Sequence, residues 1–248
     1  MQVFVIIPAA GFGTRMAAAE TAPRSAVGKW PSKQFAEIHG TPVLIHTLRK
    51  FAASNSVQEI HLALRKGDIE GFRQRLQQEK FQRSIQIVEG GEHRQQSVAN
   101  ALTQLKAAAN DIVLVHDAVR PLVDEEIIES VIQAAQKYGA AIAGLPASDT
   151  IKLVERTAEG AIITSTMPRE RVVMAQTPQG FRFSVIKKAF DDAAADGFIG
   201  TDEASLVERS GHEVAVVMGS PRNLKITTPA DLELAEFYIS QPARRAAG

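Results

Sequence analysis

The chain has 248 residues, of which 45% are hydrophobic and 23% charged, so it can bury a sizeable core and does not read as a disordered chain. Its 28 Lys and Arg balance its 28 Asp and Glu, which excludes the broad basic footprint of a nucleic-acid binder but leaves room for a local anion site. With no cysteine there is no disulfide, thiolate nucleophile or Cys-based metal site, and the apolar run near the N-terminus is too short for a signal peptide or a membrane span, so the expected compartment is the cytoplasm.

Val3-Phe4-Val5-Ile6-Ile7 is an unbroken run of apolar, mostly β-branched residues that stops at Pro8, which cannot donate to a strand ladder. It predicts a buried parallel strand. Ala9-Ala10-Gly11-Phe12-Gly13-Thr14-Arg15-Met16 follows it. Small residues there let backbone N–H groups approach a phosphate chain at the carboxyl end of the strand, and Arg15 adds fixed positive charge. The dinucleotide fingerprint fails, because Met16 stands where its third glycine belongs, and no Walker A Gly-Lys-Ser/Thr follows. Residues 17–32 read as an irregular loop whose Arg24 and Lys29, with Lys33 just beyond it, either close over an anion or simply face solvent.

Thr41-Pro42 has the form of an N-cap followed by proline at the first helical position, predicting a helix with Val43, Leu44, Thr47, Leu48 and Phe51 on one face. Residues 57–64 read as a strand, Asp68 to about Lys80 as a polar helix, and Ile85-Gln86-Ile87-Val88 as the next strand. This βαβαβ order predicts a mostly parallel sheet covered by helices. The third strand ends in Glu89-Gly90-Gly91-Glu92, and a helix follows to about Ala108. Paired glycines allow close approach of a flat ligand, with Glu92 and Ser97 at its edge, although the stretch alone reads more simply as a plain βα turn.

Asp111 to Val115 predicts a further buried strand, delivering His116, Asp117 and Arg120 to the same sheet edge. A single Asp at a strand end suits Mg²⁺ or a substrate contact, whereas His116 has no second ligand at a metal spacing and reads as structural. Asp124 to Tyr138 reads as a capped helix closed by Gly139, and residues 140–146 as a strand. Between 147 and 175 three short strands, 151–154, 161–163 and 171–174, have little of their own to pack on, which predicts an arm that packs against another subunit. Gln176 to Gly180 returns to the sheet edge and precedes a helix over 184–195. Thr201 reads as the cap of the next helix, residues 213–218 as a strand, 223–227 as a short segment carrying Lys225 inward, and Thr228-Pro229 as the start of a last helix to Ser240. The expected organisation is one domain over 1–240, with 147–175 as a dimerisation arm and 241–248 as a disordered tail.

Five strand-end features thus point at one anionic site: the Gly11/Gly13 loop with Arg15, Lys33, the Gly90-Gly91 turn, Asp117 and Lys225. The set resembles the glycosyltransferase-A-like nucleotidyltransferases, and more closely the 2-C-methyl-D-erythritol 4-phosphate cytidylyltransferase family of the non-mevalonate isoprenoid pathway. The resemblance covers nearly the whole chain. It is carried by residues 8–16, 90–98 and 115–121, by Asp149-Thr150-Ile151-Lys152, Thr177-Pro178-Gln179 and Thr201-Asp202-Glu203-Ala204, and by Asn223-Leu224-Lys225-Ile226-Thr227. Two departures stand out. The loop before Pro31-Ser32-Lys33-Gln34 is longer than in the family, so Lys29 competes with Lys33 for the same role, and the acidic residue expected near the paired glycines is represented only by Glu92.

The resemblance implies an α/β, Rossmann-like three-layer sandwich with a mostly parallel sheet and a protruding β-arm. It implies transfer of a cytidylyl group from CTP to a polyol phosphate, with Mg²⁺ as the divalent cation, in a homodimer that needs neither nucleic acid nor membrane. Arg15, Lys33 and Lys225 take catalytic roles at the phosphates, and Arg169 joins them from the arm. Ala9, Ala10, Gly91, Glu92 and Ser97 read cytosine, with Gly11, Gly13 and Ala118 completing the nucleotide contacts. Asp117 (also the metal ligand), Arg120, Thr150, Arg169 and Thr177 hold the acceptor. The same motifs overlap with ribitol-5-phosphate cytidylyltransferases, the alternative acceptor class. A nicotinamide dehydrogenase is disfavoured by Met16, and a non-catalytic binding protein by the retention of Arg15, Lys33, Asp117 and Lys225.

Overall fold

In the computed structural model, residues 1–11 and 32–241 are described. Strand β1 (Val3–Pro8) occupies the middle of a seven-stranded sheet, bonded in parallel to β4 (Glu59–Leu64) on one side and to β6 (Ile112–Val115) on the other. Beyond β4 lies β5 (Ser84–Glu89), again parallel. On the other flank β10 (Val173–Arg182) runs antiparallel between β6 and β7 (Ala140–Pro146), and β11 (Ala215–Met218) closes the far edge parallel to β7. The order is β11-β7-β10-β6-β1-β4-β5. Because β1, β4, β5 and β6 share a direction, their carboxyl ends fall on one edge.

The period of two along β1 divides the core. Val3, Val5 and Ile7 pack with Leu44, Ile45, Leu48 and Phe51 of α1 (Val43–Ala53), Phe72 of α2 (Lys66–Gln77) and the buried face of α4 (Glu125–Tyr138). Phe4 and Ile6 face the opposite layer, with Val98 and Leu102 of α3 (Arg94–Leu102), Phe190 of α5 (Phe183–Asp196) and Val207 of α6 (Glu203–Arg209). Each fully buried Val, Ile, Leu or Phe stabilises by about 1.5–3 kcal/mol, so this strand, buried on both faces, contributes strongly to the sheet. A third, small cluster joins Ile38, Val43, Val119 and Ile226 to α7 (Pro229–Ser240) and so fastens the segment that bears Lys225.

Several boundaries differ from the sequence expectation for local reasons. Thr41-Pro42 does not start α1. It forms β3 (Thr41–Pro42), paired antiparallel with β2 (Glu37–Ile38). His39 and Gly40 join the two with positive φ at both positions, the form favoured in two-residue hairpins, and Pro42 itself caps the helix. Helix α2 starts at Lys66 rather than Asp68, and α3 stops at Leu102 instead of reaching Ala108. Asp202, not Thr201, caps α6, because its carboxylate accepts from Ser205 N and from Gln179 Nε2. The caps at Asp124, Gly139 (φ 90°) and Thr228 stand as the sequence reads.

The arm is also reorganised. Only β8 (Ile151–Thr157) and β9 (Gly160–Met167) form the protruding hairpin. The third expected strand belongs to β10, and of Gln176 to Gly180 the last two residues, Gln179 and Gly180, lie inside the sheet, paired with β6 on one side and β7 on the other. Register with β7 breaks between Ala175 and Gln179, around Pro178, which has no N–H to give. Residues 17–31 of the expected loop and 242–248 of the expected tail lie outside the described residues.

Candidate active site

The carboxyl ends of β1, β5 and β6 meet around a cavity of about 280 Å³ lined by Pro8 to Gly11, Lys33, Gln34, Arg94, Ser97, Asp117, Ala118, Val119 and Lys225. The chain leaves β1 with Ala9 N donating to Ala63 O at 2.8 Å, and buried Gln34 then donates to the carbonyls of Ala9 (2.8 Å) and Gly11 (3.2 Å). Those bonds fix the path of the small-residue loop. The Gly90-Gly91 turn comes in from the side. A Cβ on Gly90 would stand 2.5 Å from Ala10 Cβ, so glycine is what lets the two strand ends touch.

Asp117 is the centre of the polar wall. Its Oδ2 lies 2.8 Å from Lys225 Nζ and 3.4 Å from Arg120 Nε, and its Oδ1 lies 3.3 Å from Arg94 Nε. Burial works to raise its pKa, but these three cations outweigh burial and hold the carboxyl far below the usual carboxylate range. Arg120 is anchored in turn, its Nη1 donating to Asn223 O at 2.6 Å, so the segment carrying Lys225 is tied to the residue beside which it must sit. Asn223 Nδ2 donates to Thr177 O at 2.8 Å, which adds β10 to the same frame.

The backbone at Asp117 is held with equal care. Its N–H donates to Thr177 Oγ1 at 3.0 Å, leaving the Thr177 proton for His116 Nδ1 at 3.0 Å. His116 Nε2–H then donates to Arg120 O at 3.1 Å, which defines the tautomer. Complete burial pushes the His116 pKa down to about 4, so the ring is a neutral spacer and carries no charge into the site. The structural role expected for it fits this geometry.

Arg94 and Glu203 enter the site without having been singled out in the sequence. Arg94 Nη1 donates to both oxygens of Glu203, at 2.6 and 2.8 Å, and Glu203 is buried. Burial works to lower the Arg94 pKa, but the carboxylates of Glu203 and Asp117 raise it further above its normal value. The pair is separated by 109 residues. The only sequence signal was that each member sits in one of the quoted motifs.

The expected site residues divide as follows. Ala9, Ala10, Gly11, Lys33, Ser97, Asp117, Ala118 and Lys225 line the cavity, with Arg120 and Thr177 directly behind Asp117. Gly91 and Glu92 are not in its wall. Their N–H groups donate to Ser97 Oγ (3.1 Å) and Gln96 Oε1 (2.9 Å), and Glu92 is exposed. Thr150 and Arg169 stand at the base of the arm, away from this cavity, with Arg169 Nη1 donating to Ser148 O. Gly13, Arg15 and Lys29 lie outside the described residues.

Among the described residues no three His, Cys, Asp or Glu side chains are gathered as a ligand shell. Among the described residues Asp117 is the one carboxylate in the cavity wall, and cations already face both of its oxygens. These residues do not by themselves fit a bound Mg²⁺. They fit a polyanion, since small backbone-rich walls and converging Lys and Arg side chains are what a phosphate chain needs.

A family model for 2-C-methyl-D-erythritol 4-phosphate cytidylyltransferase (IspD) matches residues 3–241. A protein of that description from Acidobacterium capsulatum is 57% identical over 99% of this chain and 100% of its own length. One from Solibacter usitatus is 49% identical over 99% of this chain and 98% of its own. Among solved structures, the 2-C-methyl-D-erythritol 4-phosphate cytidylyltransferase of Thermus thermophilus superposes with a TM-score of 0.74 at 33% identity, covering 97% of this chain and all of that one. Overall fold and sequence therefore agree over almost the full length, and the chain belongs to the 2-C-methyl-D-erythritol 4-phosphate cytidylyltransferase family.

Proposed function

We propose that this chain joins CTP to 2-C-methyl-D-erythritol 4-phosphate, forming 4-diphosphocytidyl-2-C-methyl-D-erythritol and releasing pyrophosphate. The observation that carries the reading is the Lys225–Asp117–Arg94 cluster facing Ala9 to Gly11 across one cavity, in a chain of this family. A phosphate oxygen of the acceptor attacks the α-phosphorus of CTP. One P–O bond forms, the bond to the β-phosphate oxygen breaks, and the electron pair leaves with pyrophosphate. No covalent intermediate on the protein is required. Catalysis is then alignment of two polyanions and neutralisation of the charge that builds up between them. Lys33 and Lys225 supply point charges from the cavity wall, and Arg15, by its place in the motif, supplies a third cation.

Asp117 orients Lys225 and, as the acceptor enters, takes hydrogen bonds from its hydroxyls. Thr177 acts through the backbone of Asp117, because its own hydroxyl already bridges Asp117 and His116. Mg²⁺ would enter with the CTP substrate and would supply charge neutralisation there, while Asp117, with Lys225 and Arg120 on one oxygen and Arg94 on the other, would hold it only by giving up one of these partners. The arm supplies Thr150 and Arg169 to a second copy of the chain. Its exposed Leu153, Val154, Ile162, Ile163 and Met167 support that reading. Among the described residues no helix is long and apolar enough to cross a membrane. The cytoplasm is the compartment we propose, on the cysteine-free composition.

The test is pyrophosphate release from CTP and Mg²⁺ with either methylerythritol 4-phosphate or ribitol 5-phosphate as acceptor. Release with the first alone is the expected result. Release with ribitol 5-phosphate alone would overturn the assignment of the acceptor, and release with neither would overturn the reaction.

A further inference from the structure

Arg94 poses a problem that the reaction does not explain. Its guanidinium lines the cavity and is partly open to it, its side chain being 30% exposed. A long cationic side chain beside a triphosphate site is drawn to the phosphates, where it would hold the nucleotide in any of several poses. Instead it points Nε at Asp117 Oδ1 and Nη1 at Glu203.

Glu203 is built to impose that orientation. Its side chain is 1% exposed, and both of its oxygens lie on the Arg94 Nη1. It opens α6, and the start of that helix is bolted down on either side. Gln179 Nε2 donates to Asp202 Oδ2 at 2.7 Å, Ala204 N donates to Gln179 Oε1 at 3.1 Å, and Asp202 and Ser205 cap each other. Gln95, next to Arg94, is fixed to the same region, donating to Phe198 O at 3.0 Å and accepting from Gly200 N at 2.9 Å. Glu203 therefore cannot follow Arg94 outward; Arg94 must stay with Glu203. The charge balance agrees. Arg94, Arg120 and Lys225 against Asp117 and Glu203 leave one net positive charge at the cluster, and removal of Glu203 doubles it.

We propose that Glu203 is a positioning residue that holds the Arg94 guanidinium on Asp117 and off the nucleotide phosphates, so that Asp117 and Lys225 meet the acceptor in one arrangement. This rests on the cytidylyltransferase reading of the cavity, and it adds a residue that never touches substrate.

The test is a double-mutant cycle of Glu203→Gln and Arg94→Gln, read by steady-state pyrophosphate release and, separately, by calorimetric CTP binding. Glu203→Gln should lower kcat about tenfold while lowering the KM for CTP, since the released guanidinium binds phosphate in the ground state without helping the transition state. Combining it with Arg94→Gln should cost no more than Arg94→Gln alone, within about twofold, because Glu203 acts only through Arg94. Glu203→Asp should recover part of the loss. Multiplicative losses, or a raised KM for CTP with kcat unchanged, would overturn the relay.

An inactive wild type would instead overturn the reaction, and the binding cycle would still decide the relay. There, Glu203→Gln should tighten CTP binding several-fold, and Arg94→Gln should abolish that gain. If Glu203→Gln fails to fold, adding Arg94→Gln should restore the fold by removing the half-buried cation that has lost its Glu203 partner, and no restoration counts against the proposal.

Discussion

Lys225 Nζ stands 2.8 Å from Asp117 Oδ2, so two residues expected to meet substrate neutralise one another before substrate arrives. The lysine can leave because its side chain is 36% exposed, and the aspartate, only 9% exposed, still keeps Arg120 and Arg94 on its oxygens when it does. An incoming phosphate can thus take the lysine from the aspartate. Lys225→Met should leave the melting temperature nearly unchanged yet lower kcat/KM about 100-fold, a loss of roughly 3 kcal/mol of transition-state stabilisation. A thermal melt alongside pyrophosphate kinetics checks both halves. A large drop in melting temperature would mean that the lysine is structural.

Much of this site was readable because it lies where local pattern and sheet geometry coincide. The apolar run ending at Pro8, the Asp124 and Gly139 caps and the strand-end Asp117 are each set by a few consecutive residues. What escaped is non-local. The Arg94–Glu203 pair spans 109 positions and has no period to reveal it. Strand β10 looked like part of the arm because its partners, β6 and β7, precede it by many residues. The cap of α6 could have been Thr201 or Asp202 on chemistry alone, and a tertiary bond from Gln179 decides for Asp202. At Thr41-Pro42 the helix-start signal was real, but the His39-Gly40 turn drew the pair into a hairpin first.

Gly90 should tolerate no side chain. A Cβ there would stand 2.5 Å from Ala10 Cβ and 3.0 Å from Ser97 Oγ, both in the cavity wall. Gly90→Ala is expected to cost about 1–3 kcal/mol of stability through overpacking and to weaken CTP binding by displacing the loop after β1. Gly67→Ala is the control, since among the described residues nothing lies within 4 Å of that position, and it should hold or raise the melting temperature. Equal behaviour of the two variants in urea titration and CTP calorimetry would contradict the close approach.

Acid should loosen the fold through His116 before it titrates Asp117. The His116 pKa falls from 6.5 to about 4 on folding, so the unfolded chain takes up the proton first. Its contribution is fully present above pH 6.5, declines as pH drops from there to about 4, and is constant below that, a loss of up to about 3 kcal/mol. His61, buried and with its pKa also lowered by burial, adds to the same slope. His116→Gln keeps an acceptor for Thr177 and a donor for Arg120 but cannot ionise. Urea unfolding at pH 7, 5.5 and 4 should show a flatter acid limb for the variant than for wild type, and parallel limbs would remove His116 as the cause.

The arm makes the sharpest prediction about assembly. Ile162 and Ile163 are 62% and 60% exposed on a hairpin that bonds only to itself, so a charge there should not disturb the core. If the arm pairs two copies as proposed, wild type should sediment as a dimer, and Ile163→Asp should sediment as a monomer and lose turnover while leaving the melt of the sheet intact. Whether Arg169 serves its own chain or a partner can be decided by mixing. Arg169→Ala and Lys225→Met should each be nearly inactive alone. If the arm reaches across, a hybrid dimer contains one site with both native residues, and an equimolar mixture re-equilibrated to random pairing should recover about a quarter of wild-type activity. If Arg169 acts within its own chain, every site in the mixture lacks one residue or the other and nothing is recovered.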